Sequence, residues 1–426
     1  MDIFVIEGGA RLEGTVRASG AKNSVLPILA ASLLTPEPLR LTNVPDLADV
    51  TTMAGILGEL GCAVERGAGT ITTSASEGVV PVAPWELVRK MRASFETLGP
   101  LLGRFGRAEV SFPGGCVFGL RPVDVHLKGI AALGARVRVT EGNVVAEAPP
   151  GGLRGAEIHL GTPFGSSVGA TRNVMMAATL ARGRTTIQCA ACEPEVTDLA
   201  LCLGKMGAQI EGAGSPTIEI EGVDRLHGAA HAVIPDRIEA GTYLVAGAIT
   251  GGRVRVVGCR PRDLSALLDV LYKAGVAVER GPDWLETQPR GTAAPRLLPT
   301  DVTTHPHPGF PTDLQAQWMA AMALADGVSI ITEKIYTDRF MHVAELLRLG
   351  ARIRREGSTA IVEGTPRLSG ARIMASDLRA SAALVLAGLV AEGVTEVHRV
   401  YHIDRGYEEI ERRLSALGAS IRRAEA

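Results

Sequence analysis

Segments apolar at nearly every position alternate along this chain with amphipathic segments and with short runs in which apolar and polar residues take turns. The first kind predicts buried helices at SVLPILAASLL (from Ser24), ASFETLGPLLGRFG (Ala93), GATRNVMMAATLARG (Gly169), EAGTYLVAGAITGG (Glu239), LQAQWMAAMALADG (Leu314) and LRASAALVLAGLVAEG (Leu378). A helix that is apolar all round has no solvent face, so each of the six must be covered on every side. A strand such as RTTIQC, RVRVVGC, VSIITE or VTEVHRV comes next, then an amphipathic helix. That second helix ends each time in a small or apolar residue plus glycine: Leu60-Gly61, Leu133-Gly134, Met206-Gly207, Ala274-Gly275, Leu349-Gly350 and Leu417-Gly418. The glycines are spaced by 73, 73, 68, 75 and 68 residues. Glycine takes the left-handed conformation that stops a helix and turns the chain into the next strand, so it reads as the cap.

The chain is therefore a sixfold repeat of helix, strand, helix and strands. One copy buries too little surface to stand alone, so two domains of three copies are expected, with the break near residues 230–235. The opening segment IFVIEGGARLEGTVRAS reads as strands, yet it precedes the first repeat helix and must pair elsewhere.

Composition narrows the function. The 426 residues are 46% hydrophobic but only 4% aromatic, so the cores are built from Ala, Leu, Val and Ile. A net charge of −2 from 44 basic and 46 acidic residues, well mixed, carries no footprint for nucleic acid. The longest apolar run, Ala380 to Ala391, is too short for a membrane span. MDIFVIEGG lacks the basic segment and apolar core of a signal peptide, so a soluble, cytoplasmic protein acting on small molecules is expected. Six scattered cysteines fit a reducing compartment. Cys189 and Cys192 form a C-x-x-C without a second pair at zinc spacing, and His305 and His307 lack a third ligand, so no metal is expected.

Candidate chemistry sits where the buried helices begin. The starts read SGAKNS, KMRAS, GSSVGAT, PDRIEAGT, PTDLQAQ and ASDLRAS. Helix N-termini offer unbonded amides and partial positive charge, which suits phosphate. Lys22, Arg92 and Arg379 stand on these starts, and Arg405 in YHIDRGYE and Arg121 on a loop are further cations. Each alone reads better as a solvated surface charge; their recurrence at related points favours an anion site. Asp236, Asp313 and Asp377 hold matching places, and the expectation is that at least one is an N-cap and one is catalytic. The second copy is unlike the others, since a loop over about residues 111–122 carries Gly114-Gly115-Cys116 ahead of Arg121. That is either an ordinary loop cysteine or a thiol activated by neighbouring positive charge.

The segments GAKNSVLPILAASLL, VRKMRAS, PGGCVFGLRPVD, SVGAT, EPEVTDLA, PDRIEAGT, FPTDLQAQ, RFMHVAEL, DLRASAALVLAG and YHIDRGYE resemble, in order and over the whole length, the UDP-N-acetylglucosamine enolpyruvyl transferases of the EPSP synthase superfamily. The resemblance implies an α/β fold of two inverted, barrel-like domains, each of three repeated units around buried central helices, with a ligand cleft between them. It implies domain bounds of 21–234 and of 1–20 plus 235–426. The reaction implied moves the enolpyruvyl group of phosphoenolpyruvate to the sugar 3-hydroxyl and releases phosphate, without metal or organic cofactor and with no obligate protein partner.

By the same resemblance Lys22, Asn23, Arg121, Arg379 and Arg405 contact phosphoenolpyruvate, Asp313 takes the hydroxyl proton, and Cys116 acts as acid, covalent trap or release device. Arg92, Arg121, Pro122, Val123, Asp124, Val125, Ser166, Ser167, Val168, Asp313 and Ile335 match positions that contact the sugar nucleotide. The segment PFGSSVGAT departs from members with a lysine there, Leu120 replaces a smaller residue, and Thr337 stands where some members have Glu. Two alternatives are a 3-phosphoshikimate-type transferase and an inactive paralogue that binds the sugar nucleotide.

Overall fold

The computed structural model describes residues 2–83, 85–89, 91–112, 123–290 and 296–425. The chain divides into two compact units, one of residues 20–112 with 123–234 and one of residues 2–19 with 235–425. Each holds three open four-stranded sheets built to one plan.

In the first unit the strand Leu39–Thr42 runs parallel to Ala229–Ala232 on one side and antiparallel to Thr70–Ser74 on the other, and Ala63–Gly67 forms the far edge. Arg107–Ser111 and Arg184–Gln188 take the same central place in the other two sheets, beside their parallel neighbours Val82–Ala83 and Glu157–His159. Alternation sets the faces: Thr70–Ser74 buries Ile71 and Thr73 and leaves the residues between them partly exposed. The edge strand Ala63–Gly67 is mostly exposed and carries Glu65 and Arg66, charges that oppose pairing with another chain.

The second unit repeats the plan around Arg253–Val257, Val328–Thr332 and Val394–His398. Its sheets are completed by the opening segment. Glu13–Arg17 is the parallel neighbour of Arg253–Val257, and Asp2–Glu7 lies between Val394–His398 and Ser420–Glu425, antiparallel to both. The first strand thus fills the position that the last copy leaves open.

All six repeat glycines have φ between 81° and 100°. In each, the glycine N–H donates three residues back and the next N–H five residues back, as for Gly61 to Gly58 and Cys62 to Leu57, both at 2.9 Å. This is the Schellman arrangement, which satisfies the last carbonyls of the helix and requires a residue without a Cβ penalty at positive φ.

The buried helices are Lys22–Ala31, Leu98–Phe105, Val168–Ala178, Arg237–Thr250, Gln315–Met322 and Leu378–Gly388. All eight residues of Gln315–Met322 are buried. Small residues allow close approach: a Cβ on Gly99 would lie 2.2 Å from the carbonyl oxygen of Asn173. The three matching aspartates divide by role. Asp236 caps its helix by accepting from the N–H of Ile238 and Glu239, and Asp377 does so for Arg379 and Ala380. Asp313 lies inside a 3₁₀ turn, Thr312–Leu314, whose cap position is held by Pro311.

One buried carboxyl ties the opening segment into the second unit. Glu239 accepts from the Ser19 N–H at 2.6 Å and from Arg413 at 3.0 Å, while Arg413 also pairs with Glu408. Burial pushes the Glu239 carboxyl up to about 7, against the pull of Arg413 and with help from Asp236. A carboxyl raised in the folded state binds its proton more tightly there than in the unfolded chain. Its stabilising contribution is therefore complete below the unfolded value and is lost as pH rises through about 7. Urea unfolding of wild type and Glu239→Gln between pH 5 and 8 is expected to show the variant gaining on wild type by ~2–3 kcal/mol as pH rises. A gap that stays constant over this range would mean that Glu239 does not titrate there.

Candidate active site

In the first unit Lys22 and Asn23 open a buried helix with Ala21 at the cap position. The Lys22 ammonium is 2.6 Å from Asp49, and both side chains are almost wholly enclosed. Asp49 thus fixes the direction of a lysine whose long stem would otherwise sample many rotamers. The next helix residue, Ser24, donates to Asp198, which also contacts His231 Nε2 at 2.9 Å and accepts from the Ile234 N–H at 3.2 Å. Aspartate stands between serine and histidine here, so the imidazole cannot take the serine proton. The trio is a buried tether, unlike a hydrolase triad.

Arg92 begins the 3₁₀ helix Arg92–Thr97, which packs against the helix Lys22–Ala31. Behind it lies a buried polar cluster. Glu96 pairs with Arg172 at 3.3 Å, and His126 Nδ1 meets Asn173 Nδ2 at 3.0 Å. The Asn173 amide also accepts from the Gly99 N–H at 2.7 Å, serving an amide near the start of the helix Leu98–Phe105. Burial, with the charge of Arg92, pushes His126 down to about 3, so the ring is neutral. Burial raises the Glu96 carboxyl, against the pull of Arg172 and Arg92. Gly169 makes this fit possible, because a Cβ there would come within 2.9 Å of the imidazole.

The cluster gathers several sequence-predicted residues. Val123 caps and Asp124 and Val125 open the helix that carries His126, with Asp124 exposed. Ser167 caps the helix Val168–Ala178 by accepting from the Ala170 N–H at 3.4 Å; Ser166 precedes it and Val168 is its first residue. Cys116, Arg121 and Pro122 lie outside the described residues.

In the second unit the partly exposed Asp313 carboxylate is gripped by two buried guanidiniums, Arg339 at 2.7 Å and Arg379 at 3.3 Å. Burial would raise this carboxyl, but Arg379 and Arg339 outweigh it and hold it well below the usual carboxylate range. Arg379 is 2% exposed, lies over the Tyr407 ring at 5.5 Å, and its Nη1 finds no hydrogen-bond partner among the described residues. Arg405 ends the 3₁₀ helix Val400–Arg405. Burial lowers the neighbouring His402, with Arg405 adding to the effect and the Asp377 cap opposing it, so this turn faces the start of the helix that bears Arg379.

Ile335 sits on a turn held by Glu333, whose Oε1 accepts from the N–H of Ile335 at 2.8 Å and of Tyr336 at 2.9 Å. A small pocket in this unit is lined by Pro311 and Leu314 on either side of Asp313, but not by Asp313 itself. Among the described residues no cluster of three or more His, Cys, Asp or Glu is arranged to hold a metal, and no helix is long and apolar enough to cross a membrane.

Sequence reasoning missed Asp49, Glu96, Glu333 and Arg339. One signal was available: His126 and His342 each lie eight residues before a repeat glycine, where the other four copies have Met53, Leu199, Leu267 and Ile410. A polar residue at a core position of a repeat marks a buried interaction.

The family described as EPSP synthase (3-phosphoshikimate 1-carboxyvinyltransferase) matches residues 6–414. A UDP-N-acetylglucosamine 1-carboxyvinyltransferase of Anaeromyxobacter sp. (strain Fw109-5) is 54% identical over 429 residues, covering 100% of both chains. One from Caulobacter vibrioides (strain NA1000 / CB15N) is 54% identical over 427 residues, covering 99% of this chain and 98% of its own. Among solved structures, the enolpyruvyl transferase NikO from Streptomyces tendae superposes with a TM-score of 0.89 at 29% identity, covering 100% of this chain and 99% of its own. An EPSP synthase from Acinetobacter baumannii shares the fold at a TM-score of 0.73 and 18% identity, with both chains fully covered.

Replacing Asp198 by Ala leaves His231, Ser24 and the Ile234 amide without their shared buried partner. Chemical denaturation is expected to show a loss of about 3 kcal/mol, against about 1 kcal/mol for Ser24→Ala. Equal, negligible effects would remove the tether from the account.

Proposed function

The chain belongs to the EPSP synthase family, and we propose that within it this protein transfers the enolpyruvyl group of phosphoenolpyruvate to the 3-hydroxyl of UDP-N-acetylglucosamine, releasing phosphate. The observation that carries this reading is the 54% identity, end to end, with relatives named for that reaction. The same reading makes it the first committed enzyme of peptidoglycan synthesis, acting in the cytoplasm and so serving cell shape and division.

The chemistry asks for a base, an acid and cations. The sugar hydroxyl adds to C2 of phosphoenolpyruvate, its proton goes to Asp313, and C3 becomes a methyl group by taking a proton, for which Cys116 is the donor in this reading. The resulting ketal carries both phosphate and carboxylate. Lys22, Arg121, Arg379 and Arg405 offset that charge, Asn23 bonds the intermediate, and loss of phosphate from C2 together with a proton from the C3 methyl group regenerates the double bond. Arg92, the run Arg121, Pro122, Val123, Asp124, Val125, the segment Ser166, Ser167, Val168, and Ile335 hold the sugar nucleotide.

The ion pairs of Asp313 have a consequence for this role. Two guanidiniums keep the carboxylate ionised and therefore able to accept a proton, but they also make it a weak base. An anionic substrate that draws on Arg379 takes up part of that positive charge. The basicity of Asp313 then rises when the substrate is in place.

Purified protein given both substrates is expected to release phosphate in step with sugar-nucleotide consumption; no release above background overturns the reading. Shikimate 3-phosphate in place of the sugar nucleotide is expected to give none, and turnover with it would favour the other acceptor that the family description names. Asp313→Asn is expected to lower kcat by at least ~100-fold with sugar-nucleotide binding retained. Fosfomycin, a small epoxide phosphonate, is expected to add its mass at Cys116, faster with sugar nucleotide present. An unmodified Cys116 in peptide mass spectra would count against its assignment as a reactive thiol.

A further inference from the structure

Glu333 lies two residues before Ile335 and is fully buried at the end of the strand Val328–Thr332. Its carboxylate makes four hydrogen bonds, all to groups of the same unit. Oε1 accepts from the hydroxyl of Thr304 at 2.7 Å and from the N–H of Ile335 and Tyr336, and Oε2 accepts from the hydroxyl of Thr312 at 2.9 Å. The Thr304 hydroxyl in turn accepts from the Lys334 N–H at 2.9 Å.

Thr312 is the link to the reacting carboxylate. Having donated its own proton to Glu333, its oxygen accepts from Arg339 Nη1 at 3.0 Å, and the same nitrogen donates to Asp313 Oδ1 at 2.7 Å. An unbroken line of hydrogen bonds runs from the Ile335 turn through Glu333, Thr312 and Arg339 to Asp313.

We infer that Glu333 is a positioning residue for the transferase reaction: it fixes the hydroxyl of Thr312 as an acceptor, which aims Arg339 at Asp313 and locks the Ile335 turn to the same framework. The inference rests on the reading of Asp313 as the base. The physical argument concerns direction. A threonine hydroxyl both donates and accepts, and only a buried acceptor on one side commits its lone pairs to the guanidinium on the other. An arginine held at one nitrogen by threonine and carboxylate together has far fewer rotamers than one held by the carboxylate alone. A base set in place to within a fraction of an ångström is what the rate depends on.

Three variants separate this role from a merely structural one. Thr312→Val keeps the shape and removes the hydroxyl; Thr312→Ser restores it. Glu333→Gln keeps an oxygen for the Ile335 turn but places an amide against Thr312. Thr312→Val and Glu333→Gln are expected to lower kcat about tenfold with little change in KM for the sugar nucleotide. Their acid limb of kcat is expected to move to higher pH, because a guanidinium that is no longer aimed at Asp313 stabilises its ionised form less. Thr312→Ser is expected to behave as wild type, and the double variant to be no worse than the poorer single one.

A second readout does not need turnover. Carbon-13 NMR titration of the Asp313 carboxyl in the intact protein is expected to show protonation at higher pH in Thr312→Val than in wild type. Thr312→Val protein that is folded by circular dichroism, with wild-type kcat, pH profile and carboxyl titration, overturns the inference. If wild type itself releases no phosphate from the two substrates, the functional reading fails while the carboxyl titration still decides whether Glu333 and Thr312 orient Arg339.

Discussion

Burial of six helices on every side is the constraint from which the rest of this structure follows. Such helices have no wet face on which to place polar residues, so polar groups collect at their ends, where amides and carbonyls are unbonded. The second, amphipathic helix of each repeat stops in one way throughout: glycine at positive φ in a Schellman turn. The starts of the buried helices differ from one another, and that is where Lys22, Arg92, Ser167, Asp236, Asp313 and Arg379 stand. A scaffold that repeats its stops and varies its starts leaves room for chemistry at the starts.

The three aspartates illustrate how equivalent positions come to differ. Asp236 and Asp377 accept amide bonds from the turn that follows them, the lowest-cost way to satisfy a helix N-terminus. Asp313 meets two guanidiniums instead. Pro311 holds the cap position of the 3₁₀ turn that contains Asp313, and the Asp313 carboxylate remains partly exposed. A capping aspartate is committed to the backbone; Asp313 is held by side chains whose charge a ligand can share.

The repeat, its glycines and the buried helices were legible in the sequence because they rest on local rules: periodicity and a helix stop. The pairing of Asp2–Glu7 within the last sheet was legible only as a need, since its partners are nearly four hundred residues away. Lys22, Arg379 and Asp313 could be named from their places at the helix starts. Their partners Asp49, Arg339 and Glu333 could not, because each belongs to an element that looks ordinary along the chain. Arg339 lies in TDRFMHV, where His342 alone among the polar residues stands at a core position of the repeat; the arginine itself reads as surface, yet it is 6% exposed. Long-range burial of a charge leaves no mark in local pattern.

The two histidines at the same register give the clearest trace of how the repeat was adapted. His126 and His342 are both buried and both pushed down to about 3, first by burial and then by one arginine each, Arg92 and Arg339. An imidazole that stays neutral beside a guanidinium fills the core without adding a second positive charge, so the arginine keeps its full field for an anion. The position is the same in both copies, but the arginine comes from different places: from the start of the first helix of the copy for Arg92, and from just ahead of its second helix for Arg339. Conserving the neutral neighbour while moving the charge is a way for a duplicated fold to build two unlike polar sites on one core.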